Sequence, residues 1–114
     1  MNFKNKYSLK YRVEESSRIL LKYPDRVPII CEKSKMDSNI ELNKKKYLIS
    51  KNVTIGEFLF FIRKSLLINE YTALFLLIGD VMPPNNSTLG VLYDIYSNMD
   101  GYLYITYSFE NTFG

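Results

Sequence analysis

At 114 residues and 13.4 kDa, with 46% hydrophobic residues, the chain can hold one domain and fill one core without metals or disulfide staples. Its single cysteine, Cys31, excludes an internal disulfide framework and suits a reducing compartment; the absence of histidine removes most familiar hydrolase mechanisms. The formal charge of +3 is unevenly spread, with thirteen basic and six acidic side chains in residues 1–51 against two basic and six acidic in residues 52–114. Such a bias is either a docking face for acidic partners or an anionic membrane, or a chance property of the surface.

The opening Met-Asn-Phe-Lys-Asn-Lys run lacks the apolar stretch of a signal peptide, and the longest apolar run, Ala73 to Ile78, is too short to cross a bilayer. The expectation is a cytosolic chain to which any membrane attachment must be added. Tyr7 to Tyr23 reads as an amphipathic helix with Leu9, Val13, Leu20 and Tyr23 near one face, and Pro24 ends it. Glu15 and Ile19 form a second stripe turned away from that face.

Arg26 to Lys33 alternates as a strand, with Val27, Ile29 and Cys31 on one side and Pro28, Ile30 and Glu32 on the other. Pro28 argues for a sheet edge or a strand start, and Cys31 reads as an inert buried thiol. Ser34 to Asn43 is loop-like, and Lys44 to Ser50 is a second strand led by three lysines. Those lysines either protect an edge from aggregation or flank a groove in which a peptide adds as an extra strand. The sequence leaves both open.

Thr54-Ile55-Gly56-Glu57 is a capping box with Thr54 as N-cap and Glu57 at N3, and Val53 with Phe58 makes the matching hydrophobic staple. The helix that follows runs to about Leu67 on Phe58, Leu59, Phe61, Ile62 and Leu66. Ala73 to Ile78 is a buried strand, Gly79-Asp80 a turn and Pro83 to Asn86 a loop. Thr88 caps a short helix to about Tyr96, Leu103 to Tyr107 is the last strand, and Ser108 to Gly114 is a tail. The class is α+β, in a β-grasp pattern with an extra helix in front. The order of strands in the sheet does not follow from the pattern.

Several segments carry a resemblance over nearly the whole chain. They are Lys22 to Pro28 followed by Glu32-Lys33, Lys44 to Leu48, Thr54 to Phe58, Phe61 to Lys64 and Ala73 to Phe75. Pro83-Pro84, Leu92-Tyr93, Leu103 to Ile105, Tyr107-Ser108 and the closing Phe113-Gly114 continue it. Together they resemble the autophagy ubiquitin-like modifiers, the autophagy-related protein eight family, and more closely its GABA-receptor-associated branch than its light-chain-three branch.

The resemblance implies a ubiquitin-like fold with N-terminal helices: residues 1–25 as helical extension, 26–108 as core and 109–114 as conjugation tail. It implies a modifier without cofactor or metal. Its terminal glycine, Gly114, would be adenylated, passed as a thioester along activating and conjugating enzymes, and joined to phosphatidylethanolamine. Glycine suits a narrow enzyme channel because it carries no side chain. Family precursors commonly carry residues after this glycine; none follow Gly114 here, so the end is either encoded or trimmed. The implied membrane is that of the autophagosome, or of a plastid.

The family also docks motifs of the form aromatic-x-x-aliphatic, with acids nearby. Position by position, the resemblance assigns the aromatic pocket to Glu15, Ile19, Pro28, Ile30, Lys46, Leu48 and Tyr102. It assigns the aliphatic pocket to Tyr47, Val53, Phe58 and Phe61, with Ile49 at its edge. Arg26, Lys44 and Lys46 would meet the motif's acids.

Four departures imply a shifted motif preference. Ser50 replaces a frequent proline, Tyr102 a phenylalanine, Gly101 a bulky residue whose loss would loosen the pocket wall, and Ser8-Leu9 a Pro-Phe pair that seats the first helix. The alternative reading is a non-conjugated adaptor in trafficking or cytoskeletal attachment, which would not need Gly114. Enzyme and nucleic-acid readings are disfavoured: there is no histidine or Gly-rich phosphate loop, and the second half is acidic.

Overall fold

The computed structural model describes residues 2–35 and 40–110. In chain order the elements are α1 (Phe3–Lys6), α2 (Leu9–Lys22), β1 (Arg26–Lys33), β2 (Lys46–Ser50), α3 (Ile55–Ser65), β3 (Phe75–Leu77), α4 (Leu89–Tyr96) and β4 (Leu103–Ser108). Each helix begins on a short polar side chain that satisfies an otherwise unpaired backbone N–H. The side chains of Asn2, Ser8, Thr54 and Thr88 accept from the N–H groups of Asn5, Tyr11, Glu57 and Val91. At α3 the box is complete, because the Glu57 carboxylate also accepts from the Thr54 N–H at 3.0 Å.

The helix expected from Tyr7 starts later. Ser8 is extended (φ −65°, ψ 157°) as the cap of α2, so Tyr7 falls in the break after the separate short helix α1.

The strands form one mixed sheet in the order β2-β1-β4-β3. β1 runs antiparallel to β2, with Pro28 opposite Leu48 and Ile30 opposite Lys46, and parallel to β4 from the Ile29–Leu103 pair onward. β3 closes the other side, antiparallel to β4. The β1 strand is therefore internal, so of the two expectations for Pro28 the sheet edge is corrected and the strand start holds, the proline being the third residue of β1. The Cys31 N–H donates to the Lys45 carbonyl on the β2 side at 2.8 Å. Successive N–H groups alternate, so position 28 faces the β4 side, just before the parallel ladder begins. The proline removes no ladder bond.

The sheet has two covered faces. Val27, Ile29 and Cys31 join Phe58 and Ile62 of α3 and Leu89 of α4 in the main core. Full burial of one such side chain contributes roughly 1.5–3 kcal/mol. On the opposite face Ile30 and Tyr102 pack with Phe3 of α1, with Tyr7 and Tyr104 against them. The β-grasp arrangement is what the sequence pattern predicts; the pattern gives one helix in front, and the two observed, α1 and α2, match what the resemblance implies.

The orientation of α2 differs from expectation. Leu9 and Val13 are exposed, and the buried residue of this helix is Ser16. Arg12, Glu15, Ser16 and Ile19, at helical spacing, form the inward face. Arg12 Nη1 donates to the buried Asp100 carboxylate at 2.6 Å, and the Ser16 hydroxyl donates to the Asp100 carbonyl at 2.6 Å. A polar seam before β4 thus seats α2.

Candidate functional site

β2 is an outer strand of the sheet: among the described residues it pairs with β1 alone. The Lys45 carbonyl points at β1, so by alternation the backbone groups of Lys46 and Leu48 point outward. Side chains alternate as well. Lys46 and Leu48 lie over the α2 face, while Tyr47 and Ile49 lie over the α3 face.

On the α2 face is a cavity of about 420 Å³ lined by Glu15, Arg18, Ile19, Pro28, Lys44, Lys46, Tyr47, Leu48 and Tyr102. It brings together six of the seven residues assigned to the aromatic pocket. The seventh, Ile30, is fully buried among Phe3 and Tyr102 and lies beneath rather than on the wall. Ile19, on the stripe turned away from Leu9 and Val13, is half-buried in this wall.

The polar part of the wall centres on Glu15. Its carboxylate accepts from the Tyr102 hydroxyl, from the Tyr11 hydroxyl at 2.9 Å and from Lys46 Nζ at 3.1 Å and 3.2 Å. Burial by itself raises the Glu15 carboxyl, but the bonds from Tyr102, Tyr11 and Lys46 outweigh it and hold the group below its ordinary range. Burial, followed by the bond to Glu15, pushes the Tyr102 phenol far above its usual value.

Gly101 does not loosen this wall. Its φ of +90° belongs to glycine, and a Cβ there would lie 2.3 Å from Ser16 Oγ and 2.8 Å from Ser16 Cβ. A bulky residue in this backbone would push α2 away, and glycine lets the helix seat against the cavity.

On the α3 face the five residues of the assigned aliphatic pocket lie together, at different depths. Phe58 is core, Tyr47 is buried, Ile49 and Val53 are half-buried, and Phe61 is 45% exposed. The Tyr47 ring meets Phe58 and Phe61 edge-on, each at 5.7 Å between centroids. Its hydroxyl donates to the Lys44 carbonyl at 2.8 Å, and burial first of all pushes its phenol up to about 12. Ser50, exposed at the strand end, turns its Oγ to the N–H of Asn52 at 3.3 Å.

The cations divide. Lys44 and Lys46 border both the aromatic cavity and an adjoining cavity of about 430 Å³ that adds Phe3, Lys6, Tyr7, Asn43 and Lys45. Arg26 stands opposite Ser50 at the far end of β2, stacked on the Tyr23 ring at 4.8 Å. At about 3.4 Å per residue, roughly 14 Å of strand separates it from the level of Lys46. Acids meeting Arg26 and acids meeting the lysines would therefore lie at opposite ends of a bound segment.

Two wall features escaped the sequence reading, Arg18 and the Tyr11 hydroxyl. The signal for Tyr11 was present, since it stands four residues before Glu15 on one helix. Cys31 has no exposed surface, and burial pushes its thiol far above its ordinary value. Among the described residues no group of three His, Cys, Asp or Glu is placed to hold a metal, and no helix is long and apolar enough to cross a membrane. Gly114 lies outside the described residues.

The family described as "Autophagy protein Atg8 ubiquitin like" matches residues 11–114 of this chain. The chain belongs to this family. Autophagy-related protein 8 of Schizosaccharomyces pombe is 43% identical over 112 residues, covering 98% of this chain and 93% of the relative. That of Candida glabrata is 40% identical over 113 residues, covering 99% and 96%. The crystal structure of Trypanosoma brucei ATG8 superposes with a TM-score of 0.88 at 30% identity, covering 95% of this chain and 93% of that one. This Atg8-family chain is thus a ubiquitin-like autophagy protein, and proteins of the family are modifiers rather than enzymes.

Proposed function

We propose that this Atg8-family chain is conjugated through Gly114 to phosphatidylethanolamine and docks aromatic-x-x-aliphatic motifs along β2. It thereby recruits motif-bearing receptors and machinery to autophagosomal, or plastid, membranes. The observation that carries the docking part is the geometry around the outward edge of β2. In an extended segment, residues three apart point to opposite faces. An aromatic-x-x-aliphatic motif added to that edge would send its aromatic toward the cavity under α2 and its aliphatic residue toward Tyr47, Ile49, Val53 and Phe61 under α3. The outward N–H and C=O groups of Lys46 and Leu48 would supply the pairing, and Lys44 and Lys46 would favour acids beside the aromatic.

The conjugation part rests on family membership and on the glycine at position 114. The test is reconstitution with cognate activating and conjugating enzymes, ATP and phosphatidylethanolamine liposomes, read by intact mass. A lipid adduct on this chain and none on Gly114→Ala is expected. No adduct on either, with a control modifier conjugated in the same mixture, would replace the reading with that of a non-conjugated adaptor.

A further inference from the structure

The aromatic cavity holds a carboxylate whose acceptor sites are already taken. An ionised carboxylate offers about four lone-pair sites. Oε1 of Glu15 accepts from the Tyr102 hydroxyl and from Lys46 Nζ at 3.1 Å, and Oε2 accepts from the Tyr11 hydroxyl at 2.9 Å and from Lys46 Nζ at 3.2 Å. The Glu15 side chain is 15% exposed and Tyr102 is 1% exposed, so the Oε1–Tyr102 side of the carboxylate is shielded from water, while its Oε2 side faces the more exposed Tyr11 and Lys46.

We propose that Tyr102 and Tyr11 set the aromatic preference of the cavity by occupying the Glu15 carboxylate. A docked phenylalanine brings no polar hydrogen and loses nothing. A docked tryptophan or tyrosine brings an N–H or O–H to a place where the charged acceptor is saturated. The phenol oxygen of Tyr102 is neutral, and a neutral acceptor makes the weaker bond. A desolvated donor without a full partner lowers affinity by about tenfold or more. The partners selected are therefore acidic peptides whose aromatic is phenylalanine, more strongly than the size of the cavity alone would select them.

This inference rests on the docking reading above, and the experiment separates the two. Two peptides of the form Asp-Asp-aromatic-Glu-Val-Leu, one with phenylalanine and one with tryptophan, are titrated calorimetrically into the full chain and into Tyr102→Phe. Removing the Tyr102 hydroxyl frees an Oε1 lone pair, so the affinity for the tryptophan peptide relative to the phenylalanine peptide should rise about tenfold. Tyr11→Phe, which loses an exposed hydroxyl, frees an Oε2 lone pair and should move the same ratio in the same direction; it keeps the test open should Tyr102→Phe not fold. A rise in either variant supports the proposal. A ratio within about twofold of the unmodified chain in every folded variant overturns it while leaving docking intact. Failure of both peptides to bind the unmodified chain overturns docking and the proposal together.

Discussion

The hydroxyl of Ser16 donates to the backbone carbonyl of Asp100 at 2.6 Å, and this bond holds α2 against the turn that leads into β4. Gly101, the next residue, has φ +90° and approaches Ser16 too closely for any Cβ. Gly101→Ala should therefore destabilise the fold by about 2 kcal/mol or more, combining backbone strain with displacement of α2. Thermal unfolding should show a midpoint about 10 °C lower. Adding Ser16→Ala should not restore it, because Ser16 Cβ itself sits 2.8 Å from the added atom. Recovery in the double variant would place the strain in the hydroxyl alone.

The bonds that fill Glu15 also make it a pH-dependent element. Its folded-state pKa is depressed below the ordinary value of 4.5, so its contribution to stability is present above that value and disappears as pH falls through the lower folded one. Glu57 is depressed too, by the backbone N–H of Thr54 first of all, and adds a contribution of the same sign. Glu15→Gln should accordingly flatten part, not all, of the loss of melting temperature on acidification from about pH 6 to about pH 3. Identical acid profiles for the two proteins would show that Glu15 gains nothing from its three partners.

Lys46→Glu would set a second carboxylate beside Glu15 in place of the cation now 3.1 Å away. Affinity for an acidic motif peptide should fall by roughly tenfold or more, and the remaining binding should lose much of its salt dependence. The pair is partly exposed, so the melting temperature should move little. Unchanged affinity in calorimetry would remove β2 as the docking edge.

Leu48 and Ile30 project from the same face of the sheet at very different depths. Leu48 is half-buried at the cavity, and Ile30 is fully buried beneath it. Leu48→Ala should weaken motif binding while costing about 1 kcal/mol or less in stability. Ile30→Ala should cost roughly 2–5 kcal/mol through the void it leaves. Denaturant unfolding of the two variants, alongside peptide titration, distinguishes a wall residue from a core residue. A collapse in Leu48→Ala would move that side chain into the core.

Short-range physics was legible from residue order alone. The Thr54–Glu57 box, the Thr88 cap and the alternation that buries Cys31 depend on neighbours within a few positions, where periodicity and local hydrogen bonding act; the Ser8 cap is just as local, yet the apolar period running through it reads as helix interior. The strand carrying Lys46 and Leu48 was legible for the same reason. Four decisions waited for the tertiary structure. Pro28 sits in an internal strand because its missing N–H falls where the β4 ladder has not begun, which only the register reveals. α2 turns its polar face inward because Asp100, 88 residues beyond Arg12, offers it a buried carboxylate and carbonyl. Ile30 and Leu48 share a face, and only the seating of Phe3 and Tyr102 sets which of them touches a ligand. Glu15 becomes a saturated acceptor because strands and helices distant in sequence bring Tyr102 and Lys46 to it. Local order is written in near neighbours, whereas depth and partnership depend on which distant residues the chain closes upon.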